Sequence, residues 1–442
     1  MDGLWIDRTS FERLYTRYYG SAIPKAPLTP QTPHVKQSLP LKETKTKGTS
    51  DTEEGPIIQL VTFVIEEAVK SRASDIHIEP LEGKLRIRYR IDGVLHEVKS
   101  PPQRLQGPVI SRVKIMAGMN IAEKRLPQDG RIKIQLLERQ LDLRISSLPA
   151  LYGESIVMRI LDKSSFFLGI KDLGFLPDQQ RAFEQLVCSP TGIFLVTGPT
   201  GSGKTTTLYA ALSALNKTDR KLITVEDPVE YQIAGINQVQ VKPQIHLTFA
   251  AALRSMLRQS PDVIMVGEIR DAETAAIAIQ AALTGHLILS TLHTNDAAGA
   301  ITRLVDMGMK PYLVASTVQG VLAQRLVRSV CPSCKEPYHP TQEEAKVLQE
   351  VPEAGPQGQY FKGKGCDQCS FSGFRGRIGI YELFRMDESI RQLILKKIST
   401  SEIRAKARSG GMKTLREDGL TKVKLGWTSV EEVLRVTQEE EN

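Results

Sequence analysis

The segment that most constrains the fold is VTGPTGSGKTTTLYAAL, residues 196–212. It contains the pattern G-x-x-x-x-G-K-[ST], in which glycines let successive backbone amides converge on phosphate oxygens. An apolar run at residues 193–196 precedes the pattern, and leucines at helical spacing follow it. A strand, a glycine turn and a helix in this order predict an α/β domain whose loop holds a phosphorylated ligand. The alternative is a glycine turn without a ligand.

The predicted phosphate loop comprises eight consecutive residues: Gly198, Pro199, Thr200, Gly201, Ser202, Gly203, Lys204 and Thr205. Lys204 would place its ammonium beside the β- and γ-phosphates of ATP, and the partial positive charge of the helix N-terminus would add to it. The hydroxyl of Thr205 would coordinate Mg²⁺. ATP and Mg²⁺ are therefore the expected ligands.

Two later β-runs, LITVEDPVEY and DVIMVGEIRD, end in carboxylates. In an open parallel sheet, the carboxyl ends of the strands lie beside the ligand. Glu268 is the first candidate to orient or deprotonate the attacking water, and Glu226, Asp227 and Glu230 are candidates for Mg²⁺ and water positioning. Gly267 stands where phosphate-loop enzymes commonly place an aspartate that holds Mg²⁺, so the first acidic cluster is expected to take over that role.

A third β-run, in LTGHLILSTLHTNDA, is bracketed by His286 and His293. A lone histidine usually has a structural role, but two at the ends of a strand in a phosphate-binding sheet favour sensing of the γ-phosphate. We therefore expect both histidines at the nucleotide.

Four of the five cysteines form two C-x-x-C pairs, which set Cys331, Cys334, Cys366 and Cys369 as two knuckles. This spacing is typical of a structural tetrathiolate Zn²⁺ site, and the alternative is four unpaired thiols in a reducing compartment. Four protein ligands would leave no open position for catalysis. Cys188, outside the pairs, is interpreted as a buried apolar residue.

Composition divides the chain into six segments. They are an amphipathic docking segment at 1–20, a proline-rich linker at 21–56, an arginine-rich α/β domain at 57–163, the ATPase core at 164–322, the zinc module at 323–376, and a C-terminal region at 377–442. In the first segment Phe11, Leu14, Tyr15 and Tyr18 have the spacing of one apolar helix face. That face would dock on a partner or pack on its own protein.

The formal net charge of +8 is concentrated in residues 57–163, which carry +5. Within GKLRIRYRIDGVLHEV, apolar residues alternate with Arg86, Arg88 and Arg90, so one face of a strand carries arginines before a turn at Asp92-Gly93. A solvated polar face explains such charges equally well. Nucleic-acid binding is not favoured, because no dense basic stripe with interleaved aromatic residues occurs.

No stretch of 18 consecutive apolar residues occurs, and the N-terminus MDGLWIDRTSFE does not resemble a signal peptide. With its paired cysteines, the chain is expected to be cytoplasmic and not to span a membrane.

From about residue 57 onward the sequence resembles the assembly ATPases of type II secretion and type IV pilus systems. The signatures that carry the resemblance are ASDIHIEP, RIDGVL, LPQDGR, the phosphate loop, TVEDPVEY, VGEIRD, TGHLILSTLHTN, LAQRLVR and the cysteine pairs. The resemblance implies a RecA-like phosphate-loop ATPase core with a smaller N-terminal α/β domain, a zinc module and a helical C-terminal region. It also implies a homohexamer that works at the inner face of the cytoplasmic membrane with platform and docking proteins.

In that family, arginines at the positions of Arg144 and Arg159 reach nucleotide bound by a neighbouring subunit, and those matching Arg254 and Arg258 are needed for activity. The chain departs from the family at its N-terminus, where 20 residues and a linker stand in place of a folded docking domain. Two alternatives to an assembly motor are a pilus retraction ATPase and, from a different class, a RecA-type motor that translocates nucleic acid.

Overall fold

The computed structural model describes residues 54–162, 169–349, 351 and 360–437. The chain divides into two compact units, Met1–Ser164 and Ser165–Asn442. The predicted docking segment at 1–20 and all but the last three residues of the predicted linker lie outside the described residues.

The first unit is a six-stranded antiparallel sheet in the order β3-β2-β1-β6-β5-β4, with two helices packed on one face. Its elements are α1 (Glu54–Lys70), β1 (Ala73–Leu81), β2 (Lys84–Ile91), β3 (Val94–Val98), α2 (Gln106–Met116), β4 (Gln128–Leu136), β5 (Arg139–Ala150) and β6 (Gly153–Asp162). The alternation predicted for β2 is confirmed, because its apolar side chains are buried and its three arginines are partly exposed. Asp92 and Gly93 form the predicted turn with φ of 48° and 89°.

The second unit is built on a seven-stranded sheet in the order β15-β12-β7-β11-β10-β8-β9. Its strands are β7 (Gly192–Thr197), β8 (Leu222–Glu226), β9 (Asn237–Gln240), β10 (Val263–Val266), β11 (Leu287–Leu292), β12 (Val318–Val330) and β15 (Phe374–Arg385). All neighbours are parallel except β12 and β15. Strands β7 and β11 are buried along their whole length, as expected for a parallel sheet covered on both faces.

Helices flank the sheet, and their apolar sides form two clusters, one on each face. They are α3 (Pro177–Val187), α4 (Lys204–Leu215), α5 (Phe249–Met256), α6 (Ala272–Leu283), α7 (Ala297–Asp306) and α8 (Pro311–Thr317). The predicted helical C-terminal region contains α10 (Glu388–Leu395), α11 (Thr400–Ser409), α12 (Leu415–Lys424) and α13 (Val430–Thr437). Among the described residues, no helix combines the length and the apolar character that crossing a bilayer requires.

The structure moves two predicted domain boundaries. The boundary after residue 322 falls inside β12, and the boundary after residue 376 falls inside β15. Because β12 and β15 are neighbours in the ATPase sheet, the zinc module is an insertion between two paired strands, with Val330 opposite Phe374 at its base. The module itself contains β13 (Lys335–Tyr338), α9 (Gln342–Leu348) and β14 (Tyr360–Gly363).

Buried ion pairs attach the C-terminal helices to the sheet. Lys422 and Asp418 on α12 are fully buried 2.6 Å apart, and Asp418 accepts a hydrogen bond from the backbone amide of Tyr381 on β15. On α13, buried Glu432 accepts hydrogen bonds from the Arg328 side chain of β12 and from Arg435. An unpaired buried charge would be costly, so these contacts fix both helices on the sheet.

Candidate active site

The phosphate loop joins buried β7 to α4 at the carboxyl edge of the parallel strands. Gly198, Gly201 and Gly203 all have left-handed φ values, of 144°, 81° and 89°. A Cβ on Gly198 would overlap the carbonyl oxygen of Gln324, and a Cβ on Gly203 would lie 2.8 Å from Gln324 Nε2. Glycine is therefore needed both for the turn and for close packing of the loop on β12.

Lys204 opens α4 with its ammonium folded over the loop. Nζ donates to the carbonyl oxygens of Gly198 and Pro199, at 2.8 Å and 3.1 Å. Burial lowers the pKa of Lys204 to about 8, with Glu268 opposing this effect and Arg325 adding to it. An ammonium in such a place is stabilised by anionic oxygens.

The remaining loop residues fit a triphosphate with Mg²⁺. Pro199, Thr200 and Gly201 are exposed, and so is Thr205, which is free to present its hydroxyl to a metal ion. The Ser202 hydroxyl is buried, and among the described residues none hydrogen-bonds to it, which suits a polar group that meets a ligand.

Glu268 follows β10 and lies near the loop. Its Oε2 is 2.6 Å from Arg270 Nε and 3.3 Å from His293 Nε2, and its side chain is only 12% exposed. Its charge also acts on Lys204. This carboxylate is held by two neighbours in a site that faces the phosphate loop, as a group that orients or deprotonates water must be.

The first acidic cluster differs from what the sequence indicated. Glu226 is 3% exposed, and its carboxylate accepts hydrogen bonds from Tyr209, Thr224 and Gln238. Burial raises its pKa. Glu226 thus ties α4 to β8 and β9 from inside the unit, which corrects the expectation that it positions Mg²⁺ or water directly.

The rest of that cluster is nearer the solvent. Asp227 is exposed and begins a cis peptide bond to Pro228, and Glu230 is partly buried. For these two residues the role in Mg²⁺ and water positioning stays a prediction.

The two histidines lie at opposite edges of the sheet. His293 follows the carboxyl end of β11, and its Nε2 lies 3.3 Å from Glu268 Oε2, so its role in sensing the γ-phosphate stays a prediction. His286 precedes β11, where Leu287 is opposite Gly192 at the start of β7. Its Nδ1 lies 2.9 Å from the carbonyl oxygen of Ala281 at the end of α6. A six-residue strand of about 20 Å separates it from the loop, so the expectation that His286 senses the γ-phosphate is wrong.

The four predicted arginines form two pairs. Arg144 and Arg159 are directly opposite each other on β5 and β6, and Arg159 also contacts Asp75 at 3.2 Å. Like charges in this position repel, so the pair is suited to an anion. In the second unit Arg254 forms an ion pair with Glu273, and Arg258 donates to the backbone of Arg254. Both side chains are exposed.

Sequence reasoning missed several residues around the loop. Gln324 is 2% exposed and accepts a hydrogen bond from Thr207 on α4 at 2.7 Å. Arg325, 7% exposed, donates to Asn295. Both belong to LAQRLVR, a segment that the sequence analysis used only as one of the motifs that carry the family resemblance. Nothing in these seven residues indicates which strands of the sheet they join.

The four predicted zinc ligands come together. All four Sγ atoms lie within 4.8 Å of one another, and three of the separations are 3.9 Å, 3.7 Å and 3.7 Å. A tetrahedral site with Zn–S bonds of about 2.3 Å requires sulfur separations of about 3.8 Å. The cluster therefore fits a tetrathiolate metal. Cys188, expected to be buried, is exposed.

The loop, the carboxylate beside it and the mainly parallel sheet define a phosphate-loop ATPase with a RecA-like core. Residues 50–435 match the family described as "Type II/IV secretion system protein". The chain belongs to this family and is an ATP-hydrolysing secretion ATPase.

Two relatives and one solved structure illustrate the match. The type II secretion system protein E of Xanthomonas campestris is 54% identical over 387 residues, which cover 87% of this chain and 68% of that protein. The type IV pilus assembly ATPase PilB of Myxococcus xanthus is 50% identical over 385 residues, covering 86% and 68%. The crystal structure of the pilus retraction motor PilT with bound ADP superposes with a TM-score of 0.56 at 25% identity, covering 85% of this chain and 96% of that one.

Proposed function

We propose that this ATPase is the motor of a type II secretion system, and that it assembles the pseudopilus that exports proteins across the cell envelope. The observation that carries the proposal is the 54% identity to a type II secretion system protein E over most of the chain. Type IV pilus assembly is the second candidate, because PilB is 50% identical over nearly the same span.

The residues around the loop can be assigned roles in ATP hydrolysis. Lys204 and the backbone amides of the loop hold the β- and γ-phosphates. Mg²⁺, bound through Thr205, would neutralise developing charge on the phosphate oxygens. Glu268, oriented by Arg270 and His293, aligns water for attack on the γ-phosphorus and takes its proton as the bond to the β-phosphate oxygen breaks. The products are ADP and inorganic phosphate.

We further propose that the active assembly is a homohexamer in which Arg144 and Arg159 act on nucleotide held by a neighbouring chain. The exposed side chain of Arg159 and its position opposite Arg144 support this assignment. A guanidinium supplied across an interface stabilises the transition state by about 10³-fold or more. Arg254 and Arg258 are assigned to the same activity from the core.

The cysteine cluster is assigned a structural Zn²⁺, and the motor is placed in the cytoplasm at the inner face of the membrane. Inner-membrane platform and docking proteins would recruit it and receive its movement. Residues 1–20 are the proposed contact with these docking proteins.

The test is complementation of a deletion strain with the parent protein, Lys204→Ala, Glu268→Gln and a control, Lys221→Ala. Lys221 precedes β8 at the opposite edge of the sheet, where its ammonium donates to the carbonyl oxygen of Gln259. We expect the parent and the control to restore secreted proteins to the medium, and the two site variants to fail. Glu268→Gln should still bind ATP.

Other outcomes identify the alternatives. If the deletion strain lacked surface pili but secreted normally, the protein would be a pilus assembly ATPase. If the deletion strain carried an excess of pili, it would be a retraction ATPase. Strong stimulation of ATPase activity by single-stranded DNA, with neither phenotype, would replace the proposal by a nucleic-acid motor.

A further inference from the structure

Arg325 occupies a position beside the phosphate loop that no assigned role explains. Strand β12 runs parallel to β7, with Ala323 opposite Thr197, the last residue of β7. The next residues of β12 therefore continue alongside the loop, and the contacts of Gln324 with Thr207 and Gly198 confirm this.

The Arg325 side chain is buried between two parts of the site. Nη2 donates to Asn295 Oδ1 at 3.2 Å, and Nη1 lies 3.3 Å from where a Cβ on Gly198 would be. The guanidinium thus reaches from the phosphate loop to the segment that follows β11.

That segment, residues 293–295, is itself part of the site. The Thr294 amide donates to Thr197 Oγ1 at 2.8 Å, and His293 contacts Glu268. Asn295 is exposed, so its hydrogen bond with Arg325 gives its side chain a fixed position. Because Asn295 lies only two residues after His293, a contact that holds Asn295 also helps to keep His293 beside Glu268, the carboxylate proposed to orient the attacking water.

Arg325 also adds charge to a region that already contains Lys204. Two cations brought together in a buried place repel each other, and the charge of Arg325 adds to burial in lowering the pKa of Lys204. Anionic phosphate oxygens would relieve this repulsion. A guanidinium stays protonated under all ordinary conditions and presents a rigid fork, so one side chain can serve a phosphate site and an amide at once.

We propose that Arg325 is a positioning residue for ATP hydrolysis. Its fork fixes Asn295, and with it the contact between His293 and Glu268, while its charge favours binding of the nucleotide phosphates. The inference rests on the ATPase chemistry and is independent of which filament the motor assembles.

Three substitutions separate the two roles. Arg325→Lys keeps the charge and loses the fork, Asn295→Ala removes the acceptor, and Arg325→Gln removes the charge. A hydrogen bond to a charged group is worth about tenfold or more in a rate, so we expect Arg325→Lys and Asn295→Ala to lower kcat about tenfold with KM for MgATP within about threefold. For Arg325→Gln we expect KM to rise at least about tenfold.

The double variant Asn295→Ala with Arg325→Lys tests whether the two residues act together. Because both changes break one contact, its kcat should be about that of the lower single variant rather than the product of the two losses. Multiplicative losses would overturn the proposed connection.

Arg328→Lys is the matched control, because Arg328 is a partly buried arginine on the same strand that pairs with Glu432 at 2.7 Å. It should lower the thermal unfolding temperature and leave KM and kcat within about twofold of the parent. Arg325→Gln with the kinetics of this control would refute the phosphate role. Should the Arg325 variants fail to fold, Asn295→Ala at an exposed position remains decisive, and a parental kcat in it would refute the positioning role.

Discussion

Two glycines of the phosphate loop provide a controlled test of whether close packing on β12 shapes the loop. Gly198 and Gly201 both have φ values that disfavour other residues, 144° and 81°. A Cβ on Gly201 would meet nothing within 4 Å, whereas a Cβ on Gly198 would overlap the Gln324 carbonyl oxygen and lie 2.8 Å from Ser202 Oγ. Substitution by alanine therefore adds backbone strain at both positions but a steric clash at only one.

The expected magnitudes follow from these contacts. Gly201→Ala should cost about 1–2 kcal/mol for a left-handed alanine, which weakens nucleotide binding roughly 5- to 30-fold. Gly198→Ala should cost about 1–3 kcal/mol in backbone strain and about 1–3 kcal/mol more because the loop or β12 must move. Its loss of affinity should therefore be about 30-fold at the least, and larger than that of Gly201→Ala by about fivefold or more.

The measurement is titration of both variants with a fluorescent ATP analogue, alongside steady-state ATPase rates. Thermal unfolding of each variant distinguishes a local loop defect from loss of the fold. Equal affinities in the two variants, within about threefold, would refute the claim that close packing on Gln324 shapes the loop.

Three further predictions test other parts of the molecule. Metal analysis of reduced protein should give about one zinc per chain, and Cys334→Ser should lose it and unfold the module before the ATP site; protein without zinc would contradict the assignment. Glu432→Gln should lower the free energy of unfolding by about 3 kcal/mol at pH 7, because hydrogen bonds from Arg435 and Arg328 outweigh burial and hold the pKa of Glu432 at about 2. The difference in the free energy of unfolding between the parent and the variant should be constant above pH about 4.5 and shrink as the pH falls toward 2, because only the carboxylate form is stabilised. Urea unfolding at several pH values measures this difference, and a difference that does not shrink would contradict the prediction. Finally, mixing Lys204→Ala chains with Arg144→Ala chains should recover about a quarter of the parental ATPase activity, because in a random ring one interface in four pairs an intact loop with an intact arginine; no recovery would place Arg144 outside the neighbour's site.

The sequence predicted best the features whose determinants are contiguous or repeated at fixed spacing. The phosphate loop, the alternation in β2 and the two cysteine knuckles are all local patterns, and the structure reproduces them. Glu268 and His293 lie close together because each follows the carboxyl end of a parallel strand, and such ends share one edge of the sheet, so their location could be inferred from the order of the strands.

The errors arose where a role depends on contacts between distant segments. His286 precedes its strand, so the parallel direction of β11 carries it to the opposite edge. Glu226 is the last residue of β8, but Tyr209 and Gln238, which lie 17 and 12 residues away, hold its carboxylate inside the unit. The pairing of β12 with β7 and β15 spans even greater separations, which is why the contribution of Arg325 and the true limits of the zinc module could not be predicted from local patterns.

The insertion of the zinc module between β12 and β15 has a mechanical consequence. An extended strand cannot lengthen appreciably along its axis, and β12 contains both Val330 at the base of the module and Arg325 beside the phosphate loop, with one shift in its register to β15 between Arg328 and Val330. The distance along the strand is only about 17 Å at the ordinary rise per residue. A force applied to the cysteine knuckles would therefore displace the part of β12 that lies beside the phosphate loop. We expect tension on the module to change the affinity of the loop for the phosphates of the nucleotide.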